Sequence, residues 1–98
     1  MPSGIIAVIR AGSARDAVEI GVALSEAGVA HLEVTFTVPD APDAIRELDA
    51  AVSATVGAGT VVTEQQATLA AEAGARFLVS PTLDQAVEQM RSNGMPDF

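Results

Sequence analysis

One carboxylate in this sequence sits where an apolar chain does not ordinarily put one. Glu33 lies in the run His31-Leu32-Glu33-Val34-Thr35-Phe36-Thr37. Its β-branched and aromatic residues and its period-two polarity read as a strand. Leu32, Val34 and Phe36 share one face of that strand; His31, Glu33, Thr35 and Thr37 share the other. Other groups able to do chemistry close neighbouring apolar runs. Arg10 ends the first, Thr60 follows Gly57-Ala58-Gly59 in the third, and Ser80 ends the fourth. One cation, one carboxylate and several hydroxyls suit a small anionic or oxo-acid ligand together with proton transfer. Arginine grips carboxylate or phosphate in a fork, and glutamate acts as a base.

Each candidate also has a plainer use. Arg10 can cover a strand end or pair with an acidic helix residue. Thr35 and Thr60 suit strands through β-branching alone, and Ser80 before Pro81 is ordinary turn chemistry. His31, at a strand start, is expected to be structural. Glu33 is harder to dismiss, because a carboxylate pointing into an interior is costly without a partner. Other chemistries lack their signatures. There is one histidine, no cysteine, no metal-ligand spacing, no phosphate-binding glycine loop and no local motif of a serine hydrolase. All five basic residues are arginine (Arg10, Arg15, Arg46, Arg76, Arg91), so the only amine in the sequence is the N-terminus.

The elements that must hold these groups alternate strictly. Ile5 to Ile9 is a short apolar run, of the kind found in strands buried on both faces of a parallel sheet. Ser13 is placed to cap a helix, with Asp16 in its first turn and Gly28 as its stop. After the strand at His31–Thr37, Asp40 or Asp43 is expected to cap a second helix running to about Ala51. A third strand spans Thr55 to Val62, where the small residues at 57–59 let another backbone or a ligand come close. Thr63-Glu64-Gln65-Gln66 is a capping box opening a third helix that stops at Gly74. Phe77 to Ser80 is a fourth strand, and Thr82-Leu83-Asp84-Gln85 opens a fourth helix to about Ser92. Ser25–Leu32 faintly resembles Ala71–Leu78, each copy joining a helix end through glycine to a strand. Such βα alternation means parallel units. A doubly wound open sheet and half of a barrel both fit that order, although Arg10-Ala11-Gly12-Ser13 is not the glycine motif of dinucleotide folds.

Composition narrows the partners. The 98-residue chain is 49% hydrophobic with a formal net charge of −8, from thirteen acidic and five basic residues. This suits one small globular domain and argues against nucleic acid and anionic membrane surfaces, both of which need clustered positive charge. No apolar run is long enough to span a bilayer, and no basic segment opens the sequence, so a cytoplasmic location is the expectation.

Four ordered motifs carry a family resemblance: Ile5-Ile6-Ala7-Val8-Ile9-Arg10, Leu32 through Ala41, Val56-Gly57-Ala58-Gly59-Thr60-Val61, and Phe77-Leu78-Val79-Ser80-Pro81. Together they resemble the 2-keto-3-deoxy-6-phosphogluconate (KDPG) and 4-hydroxy-2-oxoglutarate (KHG) aldolases over about residues 4 to 92. The resemblance implies α/β architecture in parallel βα units, the first half of a (β/α)8 TIM-type barrel. It spans residues 1–98 as a single partial domain and ends at the start of a fifth strand. It also implies retro-aldol cleavage of a 2-keto acid to pyruvate and an aldehyde through a lysine Schiff base, with no cofactor. Carried over by position, Glu33 matches the family's acid/base glutamate, which moves protons through a water. Thr60 matches a contact to the pyruvyl carboxylate, and Arg10 a first-strand arginine that holds the anionic substrate. Many members place a second arginine where this sequence has Thr37. The family's lysine lies on the sixth strand, so this chain is expected to be inactive alone. The alternative is a non-catalytic half-barrel that binds 2-oxo acids or assembles with itself. Family members commonly form trimers.

Overall fold

A computed structural model of the chain describes residues 5–80. The strands β1 (Ile6–Ile9), β2 (His31–Thr35) and β3 (Thr55–Gly59) alternate with the helices α1 (Ala14–Glu26), α2 (Ala41–Ala51) and α3 (Glu64–Ala73). All pairing is parallel, in the order β1-β2-β3. The segment after α3 continues the sheet on the far side of β3 through a parallel bridge between Ala58 and Leu78. Backbone hydrogen bonds from Arg76 to Val56, from Ala58 to Phe77 and from Val79 to Ala58 hold it there. The expected fourth strand is therefore present as a single bridge with strand-like bonding. The fourth helix expected after Thr82 lies outside the described residues.

Sequential strand order with parallel connections winds the chain in one direction. The sheet has no switch point among β1–β3, where a doubly wound open sheet would place its ligand crevice. Register decides which side chains share a face. Ala7, Leu32 and Val56 stand in one row and Ile9, Val34 and Ala58 in another. These rows face the helices and form the core with Ala17, Ala44, Ile45, Leu48, Ala67 and Ala70. The opposite face carries Val8, Glu33 and Gly57 in one row and Thr35 with Gly59 in the next. β1 departs from the expectation of burial on both faces. Ile9 is buried on the helix side, but Val8, on the other side, is 50% exposed.

Helix ends are set by local chemistry. The Ser13 hydroxyl accepts from the Asp16 N–H at 3.1 Å, and the Thr63 hydroxyl from the Gln66 N–H at 3.0 Å. The Gln66 side chain reaches back to the Val62 N–H at 2.9 Å, one residue before the cap, so the box at Thr63 is slightly wider than the usual reciprocal form. At α1 the Val29 and Gly28 N–H groups bond the Leu24 and Ser25 carbonyls. At α3 Ala75 and Gly74 repeat this on Ala70 and Ala71. Both glycines have positive φ, 100° and 103°, so the faint repeat corresponds to two Schellman stops. α2 begins differently from the expectation. Asp40 occupies the cap position at φ 55°, but its side chain makes no capping bond. Asp43 binds Arg46 at 3.0 Å instead. Pro42, free of any amide proton to satisfy, and the Asp40 carbonyl start this helix. No helix among the described residues is long and apolar enough to cross a membrane.

Candidate functional site

The polar groups gather on the face of the sheet that does not carry the helix-facing rows. Glu33 lies mid-strand in β2 and is only 7% exposed. Among the described residues its carboxylate has no hydrogen bond or salt bridge. Loss of hydration raises its pKa above the ordinary 4.5, and the positive charge of Arg10 offsets part of that rise. Arg10 stands exposed just beyond the C-terminal end of β1, near enough for that charge to be felt without forming an ion pair. The structure thus brings Arg10 and Glu33 into one electrostatic environment.

Thr60 stands at the C-terminal end of β3, half-buried, with φ 54°. A β-branched residue in the left-handed region is a conformational outlier, of the kind that surrounding structure must hold in place. This turn also explains why β3 stops at Gly59 and not at Val62. β2 likewise ends at Thr35, two residues early. There the fully buried Thr35 hydroxyl and the Thr37 hydroxyl share a 2.6 Å hydrogen bond, and the chain turns. Thr37 is exposed, with its hydroxyl tied to that of Thr35. His31 is half-buried at the other end of β2, in the row of Ile6 and Thr55, away from Arg10 and Thr60. Ser80 is half-buried at the end of the described residues.

The space left by Gly57 and Gly59 is filled by side chains. A methyl group at Gly57 would lie 2.5 Å from the Phe77 ring. One at Gly59 would collide with Glu33 Oε2 and lie 2.7 Å from its Cδ. The glycine pattern had suggested a close approach. Its occupants, a carboxylate from one neighbouring strand and a ring from the other, become visible only with the register.

A raised pKa has a consequence for stability. Between the unfolded value near 4.5 and the higher folded value, the native state holds more protons than the unfolded chain, so stability falls as pH rises through that window. Glu33→Gln removes the ionised group while keeping the shape. The variant is expected to melt higher than the wild type at pH 7, with the difference shrinking as the pH falls to 4.5 and below. Circular dichroism melts across that range check it.

Parallel βα units with a cation and a strained threonine at strand ends and a buried carboxylate mid-strand make this an α/β protein with a parallel sheet. The aldolase family described as KDPG and KHG aldolase matches residues 2–96. The chain belongs to that family. It is 40% identical over 91 residues to the KHG/KDPG aldolase of Escherichia coli strain K12, covering 92% of this chain and 43% of the relative. The KDPG aldolase of Zymomonas mobilis ZM4, solved with 3-phosphoglycerate, superposes with a TM-score of 0.79 at 34% identity, covering 92% of this chain and 44% of that one. The Legionella pneumophila KDPG aldolase, with pyruvate captured as a covalent carbinolamine, gives a TM-score of 0.72 at 30% identity. It covers 95% of this chain and 46% of its own. The chain thus spans less than half the length of these relatives.

Proposed function

We propose that the chain supplies the first half of a (β/α)8 barrel, as one partial domain over residues 1–98, and with it the acid/base side of an aldolase site. Cleaving KDPG or KHG to pyruvate and an aldehyde breaks a carbon–carbon bond. A proton must leave the substrate hydroxyl as the bond breaks, and another must reach the pyruvyl carbon that receives the electron pair. Glu33 is the group suited to both transfers, acting through a water. The observation that carries this reading is a carboxylate 7% exposed, with its pKa raised and no salt bridge among the described residues. A carboxylate poised nearer neutrality exchanges protons more readily than an ordinary surface glutamate. Arg10 and Thr60, at the ends of β1 and β3 on either side of β2, are proposed to hold the 2-oxo-acid carboxylate. The Schiff-base amine comes from outside this sequence, which has no lysine.

The test is reconstitution. The chain is mixed with the lysine-bearing second half of the Escherichia coli relative, incubated with pyruvate and reduced with borohydride. A pyruvyl adduct on the partner half, formed only in the mixture, supports the reading; retro-aldol turnover by the chain alone overturns it. Thr60→Gly adds a sharper check. It relieves the left-handed strain, so it is expected to fold as stably as the wild type. Losing the hydroxyl should weaken pyruvate binding in the mixture about tenfold, the equivalent of ~1.4 kcal/mol. Calorimetry measures this.

A second reading draws on the exposed apolar groups on or beside the same sheet. Val8 is 50% and Val79 37% exposed, which favours association with another half-barrel or a further copy. A concentration-independent monomer by light scattering would count against self-assembly.

A further inference from the structure

Glycine inside a strand weakens it relative to alanine, and β3 carries two on the same face. Thr55, Gly57 and Gly59 alternate with the buried Val56 and Ala58, so both glycines look toward the polar side. They are filled from opposite directions. Glu33 is the direct row partner of Gly57, yet its carboxylate rests over Gly59. The place above Gly57 is taken by Phe77, whose ring atoms Cδ2, Cε2 and Cζ would all lie 2.5 Å from a methyl group there. Phe77 therefore blocks the straight-across position, and Gly59 opens the next one along, toward the strand ends where Arg10 and Thr60 stand. Thr35, the next residue of β2 on this face, is fully buried and tied to Thr37.

We infer that Gly59 is a positioning residue. Its missing side chain is the seat of the Glu33 carboxylate, with Phe77 on Gly57 as the backstop that directs the carboxylate there. The catalytic importance of this seat rests on the acid/base reading of Glu33; the seat itself does not.

The test is Gly59→Ala, followed by ¹³C NMR titration of the Glu33 carboxyl. Displacing the carboxylate toward water is expected to bring its midpoint back toward 4.5, the ordinary value. Val56→Ala, a core truncation on the opposite face of the same strand, is expected to lower the melting temperature without moving that midpoint. Glu33→Ala is the second arm, because it removes Cγ, Cδ and Oε2, the three atoms that the methyl group would meet. Added to Gly59→Ala it should restore part of the lost melting temperature, and folding itself if the single variant does not fold. An unchanged midpoint in Gly59→Ala, or a further melting loss in the double variant, would overturn the inference. In the reconstituted barrel, Gly59→Ala should lower turnover and shift the acid limb of the pH profile. If Glu33→Gln there leaves turnover intact, the acid/base reading fails while the seat stands or falls on the titration.

Discussion

Glu33→Gln will lower turnover of the reconstituted barrel by about 10²- to 10⁴-fold, the range in which a positioned acid/base group contributes. The substitution keeps the side chain's size and its place over Gly59 while removing its ability to exchange a proton. Binding should change far less than turnover, because the proposed carboxylate contacts, Arg10 and Thr60, are left in place. The loss should therefore fall on kcat, with KM for the 2-keto acid changed only a few-fold. The same variant is expected to be more stable than the wild type at neutral pH, since a desolvated carboxylate no longer has to ionise. A protein that becomes more stable as it loses activity has kept a strained group for its chemistry. Loss of both activity and stability would mean that Glu33 holds the fold together and does no more.

Leu48→Ala will destabilise the fold by about 2–5 kcal/mol, as expected when a large core residue leaves a cavity. Leu48 is fully buried on α2, and its branch fills the notch left by Gly21 on α1. A methyl group at Gly21 would lie 2.6 Å from Leu48 Cδ2 and 3.3 Å from Ile9 Cδ1, so α1, α2 and β1 meet at this point. Against an ordinary domain stability of roughly 5–15 kcal/mol, the loss is a large share for a chain this small. Adding Gly21→Ala should recover part of it, because the new methyl group enters the vacated space and alanine favours helix by about 1 kcal/mol over glycine. Urea unfolding of both variants measures the coupling. Losses that simply add would show that the two residues do not share the notch.

The features that were legible in the sequence are those with local causes. Ser13 and Thr63 cap their helices through bonds to residues three positions on, and Gly28 and Gly74 end theirs through positive φ. These depend on a few neighbouring residues and read directly. Strand ends were less legible. β2 and β3 stop early where the Thr35–Thr37 bond and the turn at Thr60 redirect the chain, and β-branched residues do not announce such turns. Asp40 looked like a cap because aspartate usually is one, but its left-handed backbone takes the side chain off that task. Glu33 stood out in the sequence, as a polar residue in an apolar strand, and the structure places it near Arg10. The seat over Gly59 was beyond reach. It requires the register of three neighbouring segments at once, and no local pattern contains that register.

The most direct measurement is the pH titration of the Glu33 carboxyl in the chain itself, by ¹³C NMR. The account predicts a midpoint above 4.5, the ordinary value, and a further rise in Arg10→Gln, because the guanidinium now holds it down. A midpoint at or below 4.5 would contradict a carboxylate held ready for proton transfer.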